Sequence, residues 1–237
     1  MKLTILGCNS ATPHADKAPT AQLLSTKKHH FLIDCGEGTQ VLLRKAKVKF
    51  VQIKHIFISH LHGDHFFGLP GLISTFRLLG REAPLHIYGP VGIREAVTLL
   101  LKLADSWTNY PLHFHELSEK EPVCLFSEDE MEVHTIPLKH RVYTNGFLFR
   151  ETPTELKINP EAVEKLRIDK SQMRNLIQGK DVVNVDGETI SNAQVTYDPH
   201  PSKAYAFCSD TAYHPEMTRQ IQGVDVLYHE ETFLDDN

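Results

Sequence analysis

Short apolar runs alternate with longer amphipathic stretches along most of this chain. Residues 3–6, 22–25, 30–34 and 55–58 are brief, rich in β-formers and bounded by polar or glycine-containing segments, which predicts strands. Residues 38–46 and 71–79 predict helices, and residues 92–103 predict a strongly amphipathic one, with apolar residues three and four apart. Residues 86–90 predict a short strand stopped by Gly89-Pro90. Residues 112–117, 131–137, 146–149 and 204–209 complete the expected strands. Strands alternating with helices predict an α/β fold. No internal repeat or low-complexity stretch interrupts it.

Residues 150–202 break this rhythm. The segment reads as polar, with few apolar residues, and separates strands expected to be neighbours. Within it, residues 159–167 predict a short helix, and residues 182–190 a hairpin turning at Asp186-Gly187. Lys157, Lys165, Arg167, Lys170, Arg174 and Lys180 supply charge for phosphates, diluted by Glu161, Glu164, Asp169 and Asp181. The segment is either an arm that grips a partner or a surface insertion without one.

Composition narrows the class. A chain of 237 residues with 41% hydrophobic residues can bury one good core. No apolar run approaches the roughly 18 residues of a membrane span. The apolar part of the N-terminus is too short for a signal peptide, so a cytoplasmic protein is expected. Cys8, Cys35, Cys124 and Cys208 show no CxxC spacing, which favours free thiols over a disulfide framework. A net charge of −5 argues against a non-specific nucleic-acid binder. It does not exclude an RNA enzyme, because a local basic patch or bound metal ions can reverse the sign where it matters.

The densest chemistry is in residues 59–68, SHLHGDHFFG, which place His60, His62, Asp64 and His65 within six positions just after a predicted strand. Open α/β sheets place their chemistry at the carboxyl ends of strands. His60 and His62 are two apart, so in extended backbone they face one side and can clasp one ion. Gly63 allows a sharp turn, and Asp64 and His65 then face a neighbouring position suited to a second ion. Imidazole with carboxylate is a zinc-like donor set, with manganese or iron as alternatives. The competing reading is a polar loop of solvated histidines.

The His-x-His-x-Asp-His pattern after a strand is the signature of the metallo-β-lactamase superfamily, and residues 59–72, SHLHGDHFFGLPGL, resemble the ribonuclease Z family, endonucleases that mature tRNA 3′ ends. Residues 6–13 (LGCNSATP), 31–40 (FLIDCGEGTQ), 137–140 (PLKH), 209–211 (SDT) and 229–233 (HEETF) resemble further blocks of that family, in family order.

The resemblance implies one metallo-β-lactamase domain over residues 1–237, an αβ/βα sandwich of two mixed sheets with outer helices. It implies two divalent metal ions, zinc or alternatively manganese. His60, His62 and His140 would bind one, Asp64 and His65 the other, and Asp210 would bridge them. Asp64 would take a proton from the attacking water. Glu230 would help protonate the leaving oxygen, or with His229 merely buttress the site. Asp34 is expected to orient a ligand histidine. The family carries a further ligand histidine beyond the His-Glu-x-Thr block, so the chain is expected to lack a C-terminal part; His200, His214 and His229 are conceivable substitutes.

Residues 150–202 would be the tRNA-gripping exosite, although the stretch 173–180 (MRNLIQGK) lacks the family's Gly-Pro. Lys17, Phe66, Arg174 and Lys180 are the expected substrate contacts, with Phe67, Arg141 and Tyr143 as further possibilities. His29, His30, His113, His115 and His134 have no ligand spacing and read as ordinary strand or surface histidines. The expected function is metal-dependent removal of the 3′ trailer from precursor tRNA, by a homodimer. The alternatives are a small-molecule phosphodiesterase, an arylsulfatase-like enzyme or lactonase on the same fold, or a non-catalytic RNA-binding subunit.

Overall fold

The computed structural model describes residues 1–12, 14–152, 155–197 and 201–230. The first half builds one sheet and the helices that cover it. Strands β1 (Lys2–Gly7), β2 (Ala21–Ser25) and β3 (His30–Ile33) form an antiparallel meander. Helix α1 (Thr39–Lys45) then carries the chain to β4 (Ile53–Phe57), parallel to β3. A single turn, α2 (Gly63–Phe66), and α3 (Leu69–Leu78) lead to β5 (Leu85–Pro90). Helix α4 (Ile93–Leu103) leads to β6 (Leu112–Leu117), so β3, β4, β5 and β6 run parallel in a six-stranded mixed sheet.

The second sheet begins with the antiparallel strands β7 (Cys124–Glu128), β8 (Met131–Pro137) and β9 (Asn145–Glu151). The inserted segment follows, with β10 (Lys157–Ile158), α5 (Pro160–Lys165), α6 (Met173–Ile177), β11 (Val182–Val183), β12 (Thr189–Ile190) and β13 (Thr196–Tyr197). Strand β14 (Ala204–Cys208) returns beside β9, and α7 (Met217–Gln220) leads to β15 (Val226–His229), parallel to β14. The strand order is β15-β14-β9-β8-β7.

Three apolar layers hold this together. Between the sheets, Phe31, Phe57 and Tyr88 meet Phe126, Phe147, Phe149, Tyr205 and Phe207. On the outer face of the first sheet, Leu32, Ile56 and Ile87 pack with Leu43, Leu72, Ile73, Phe76, Val97 and Leu101 from the helices. Ile136, Leu148, Ala206 and Cys208 pack with Met217 outside the second sheet. The central strands are buried on both faces, which is why they read as short apolar runs rather than alternating ones. The expected α/β sandwich is the observed fold.

The expected elements fall within a few residues of those observed. Strands β7 and β15, like the two-residue β10 and β13 of the inserted segment, lie outside the expected set. Both β7 and β15 lie at an edge of the second sheet and are largely exposed, so their sequences carry little apolar pattern. The inserted segment departs from its reading as merely polar. Ile168, Leu176, Val182, Ile190 and Val195 bury one another in a small core of their own, flanked by Ile158, Val163, Leu166 and Met173. The expected hairpin is present: Val182 pairs with Ile190, and Asn184 Oδ1 accepts from the Asp186 and Glu188 amides at 3.0 and 2.9 Å. Buried Asn192 ties the segment together, its Nδ2 donating to the Leu176 carbonyl at 2.7 Å.

Candidate metal centre

The site lies on loops leaving β4, β8 and β14, and its support begins with Asp34. This residue follows β3 with φ 55°, a left-handed conformation that Asp tolerates better than most side chains. Its amide donates to the Phe57 carbonyl at 2.8 Å, pinning the turn to the end of β4. The carboxylate is fully buried. Oδ1 accepts from the Ser59 amide at 2.7 Å, and Oδ2 accepts from Ser59 Oγ at 2.9 Å and from His65 Nδ1 at 2.7 Å. With the Ser59 hydroxyl proton directed to Asp34, its oxygen is free to accept from His60 Nδ1, 3.0 Å away. In their neutral forms both imidazoles are thereby held in the tautomer that turns an unprotonated Nε2 inward.

Two glycines bring the backbone close enough for this arrangement. A side chain at Gly36 would collide with the Asp64 carbonyl, and one at Gly68 with the Gly36 carbonyl. The Cys35 amide donates to the His65 carbonyl at 2.8 Å across this junction. Cys35 and Cys208 are free, fully buried thiols, whereas Cys8 is free and exposed.

His60, His62, His140 and Asp210 converge so that one ligand atom from each lies within 4.8 Å of every other. His60 Nε2 is 2.9 Å from His62 Nδ1. Asp210 follows β14 with φ 49° and divides its two oxygens between two sets of groups. Oδ2 lies 3.4 Å from His60 Nε2 and 3.8 Å from His140 Nε2, while Oδ1 lies 3.7 Å from His65 Nε2. Asp64 Oδ2 lies 3.5 Å from the same His65 nitrogen. His140 is tied to Asp210 through their neighbours: the Ala212 amide donates to the Lys139 carbonyl at 2.8 Å, and the Lys139 amide to Thr211 Oγ1 at 3.1 Å.

Charge and burial fit a divalent cation. His140 Nε2 is buried with no hydrogen-bond partner, an orphan that a metal would satisfy. Burial lowers the pKa of His62 and of His140, leaving neutral imidazoles with lone pairs to donate. Burial opposes charge on His65 too, but the adjacent Asp34 carboxylate overrides it and raises that pKa to about 9. Burial likewise opposes charge on Asp210, yet His60 and His65 hold its carboxyl well below the usual range. A cluster so rich in lone pairs and carboxylate is suited to holding a divalent metal.

Glu230, just after β15, connects through Ser209, whose Oγ is 2.7 Å from Glu230 Oε2 and 3.0 Å from Asp210 Oδ1. Burial raises the Glu230 carboxyl pKa. Ser59 and Ser209 escaped notice in the sequence, where the one available signal is their position immediately before a ligand. Arg141 Nε approaches His62 Nε2 at 3.3 Å.

The expected substrate contacts divide. Phe66 is 7% exposed and packs in the core beneath the helices, which corrects its reading as a substrate contact; Phe67 is 57% exposed beside the cluster and is the ring free to stack. The Phe67 ring covers Gly63 of the ligand motif. Lys17 is exposed on the loop after β1, and Arg174 and Lys180 are exposed on the inserted segment; none joins the cluster. His214 and His229 also stand outside it. Pro13, His200 and residues 231–233 lie outside the described residues.

Comparison with known proteins agrees with this geometry. A family model described as Anti-Pycsar protein Apyc1 matches residues 1–145. Ribonuclease Z of Bacteroides thetaiotaomicron is 44% identical over 232 residues, 98% of this chain and 73% of that protein. Ribonuclease Z of Cytophaga hutchinsonii is 43% identical over 240 residues, covering 99% of this chain and 75% of that protein. The crystal structure of the short form of human tRNase Z superposes with a TM-score of 0.58 at 30% identity, over 75% of this chain and 83% of that one. The metallo-β-lactamase fold protein YhfI of Bacillus subtilis shares the fold, with a TM-score of 0.61 at 16% identity over 99% of this chain and 73% of that one. Identity above 40% across nearly the whole chain, on a metallo-β-lactamase sandwich, means that this protein belongs to the ribonuclease Z family.

Proposed function

We propose that the chain is a metal-dependent endoribonuclease that removes the 3′ trailer from precursor tRNA. The observation that carries the reading is the convergence of His60, His62, His140 and Asp210, with Asp210 turned also toward His65 and Asp64, in a member of the ribonuclease Z family. In this reading, His60, His62 and His140 would hold one divalent ion and Asp64 and His65 a second, with Asp210 offering an oxygen to each group. Imidazole and carboxylate donors favour zinc over manganese.

Bound ions supply Lewis-acid activation of water and neutralisation of phosphate charge. The chain's own residues do the rest. Asp34 and Ser59 hold His60 and His65 so that little reorganisation accompanies the reaction. Asp64 takes the proton of the attacking water at its carboxylate. The water oxygen bonds to phosphorus and the bond to the ribose 3′-oxygen breaks. The tRNA keeps a 3′-hydroxyl, and the trailer leaves with a 5′-phosphate. Glu230, oriented by Ser209, returns a proton to the leaving oxygen. The inserted segment, with Arg174 and Lys180 exposed, grips the tRNA body as an exosite, and Lys17 and Phe67 contact the RNA nearer the cut.

Homodimer assembly belongs to the same reading, supported by Leu78, Leu99, Leu100 and Leu103, exposed on neighbouring α3 and α4, and by Leu79 just past the end of α3. Among the described residues, no helix is long and apolar enough to cross a membrane. A tRNA substrate supports a cytoplasmic site of action.

The test is cleavage of a 3′-extended precursor tRNA, with Asp64→Ala as control and a chromogenic phosphodiester alongside. A cut next to the discriminator base, lost in the variant, is the expected result. Turnover of the small diester alone would instead make the protein a phosphodiesterase on the same scaffold.

A further inference from the structure

Loops from both sheets meet at the cluster, and each brings an exposed aromatic ring with it. Phe67 closes α2 directly after the ligand motif, on the connection leaving β4 of the first sheet. Tyr213 lies three residues past Asp210, on the connection leaving β14 of the second sheet. Tyr213 is 87% exposed, the most open of the large exposed apolar side chains among the described residues. A ring so open adds nothing to the core, whereas Met217, four residues on, is buried with Ile136 and Leu148.

The backbone on both sides of Tyr213 is nevertheless fixed. The Ala212 amide is bonded to the Lys139 carbonyl, which sets Tyr213 beside the loop that carries His140. On the other side, the Met217 amide donates to the His214 carbonyl at 3.1 Å and α7 begins. Lys139 and Arg141, flanking His140, are exposed and form no salt bridge among the described residues. Exposed rings beside unpaired cations are the means by which proteins hold single-stranded nucleic acid, because every base offers a face to stack. The net charge of −5 gives RNA little long-range attraction to this chain, and stacking needs none. We propose that Tyr213 stacks on the nucleotide at one side of the scissile phosphate while Phe67 takes the nucleotide at the other, with Lys139 and Arg141 on the adjoining phosphates. The inference rests on the tRNA-processing reading and assigns the site a second ring. An RNA strand that sets a phosphate at the cluster has one neighbouring nucleotide toward each sheet, and each sheet supplies one of the two rings.

Steady-state cleavage of a 3′-extended precursor tRNA by the full chain tests the assignment. Tyr213→Ala is expected to raise KM about tenfold with kcat near wild type, because a stack made equally in ground and transition states is lost. Tyr213→Phe keeps the ring and should match wild type. Fluorescence of 2-aminopurine, placed in turn just before and just after the scissile phosphate, reads the stack directly in the cleavage-deficient Asp64→Ala background. Binding should quench both probes; adding Tyr213→Ala should relieve one, and adding Phe67→Ala the other. Unchanged KM and unchanged quenching in the Tyr213→Ala variants would overturn the subsite and leave the tRNA reading in place. A KM raised as much by Tyr213→Phe as by Tyr213→Ala would assign the effect to the hydroxyl and overturn stacking. Wild-type protein that turns over a chromogenic phosphodiester but neither binds nor cuts precursor tRNA would overturn the tRNA reading, and the subsite with it.

Discussion

Asp34 and His65 meet through a 2.7 Å hydrogen bond between a fully buried carboxylate and Nδ1 of an imidazole side chain only 1% exposed. The carboxylate touches no other ligand of the cluster directly, but through Ser59 it also sets the tautomer of His60. Replacing Asp34 by Asn keeps the shape and the left-handed turn while removing the charge. The expected result is metal affinity about 10–100-fold weaker, read by competition with a chelator, with activity recovering in excess metal. Undiminished affinity would mean that the pair serves folding alone.

Acid should weaken the fold through the inter-sheet histidines. Burial, followed by the neighbouring His86 and His29, holds His55 near a pKa of about 3, against 6.5 for the free side chain. A depressed folded pKa means that the unfolded chain takes up the proton first. The stability present above pH 6.5 is therefore lost as pH falls from 6.5 toward 3. His55→Phe, which fills the same space without titrating, should reduce this loss. Melting temperatures at neutral pH and at pH 5 check it; parallel pH profiles for variant and wild type would assign the acid sensitivity elsewhere.

Adjacent phenylalanines should behave oppositely. Phe66→Ala opens a hole in the helix-side core and should cost about 3–5 kcal/mol, measurable by denaturant unfolding. Phe67→Ala removes an exposed ring and should leave stability within about 0.5 kcal/mol while raising KM for precursor tRNA. Unchanged KM would remove Phe67 from the substrate surface.

The inserted segment should melt without the metal centre. Leu176 is fully buried in that segment's own core. Leu176→Ala should cost the segment about 2–5 kcal/mol, which a core this small cannot absorb. Precursor tRNA cleavage should fall steeply while turnover of a chromogenic phosphodiester stays near wild type. Equal loss on both substrates would show that the segment supports the centre rather than the substrate.

Chelation should abolish hydrolysis of both substrates and lower the melting temperature, because ions binding only the folded chain stabilise it. Zinc and manganese restored separately would then identify the metal that supports activity.

What the sequence by itself determined is local. Turn chemistry and apolar spacing place the central strands and the main helices, and the tight spacing of His60, His62, Asp64 and His65 marks the loop that holds them. The family blocks that include His140 and Asp210 marked those residues as ligands, but only the pairing of β14 with β9 and the tie between Lys139 and Ala212 bring them to His60. Register also decides that His55, His86 and His113 form one row across β4, β5 and β6, because strands from three separate stretches must first be aligned. Burial separates Phe66 from Phe67, identical residues side by side, since one turn of helix sends successive side chains in different directions. The core of the inserted segment escaped notice because Ile168, Leu176, Val182, Ile190 and Val195 are too scattered to form a period. Periodicity records which face of one element is buried; it carries no record of which distant element lies opposite.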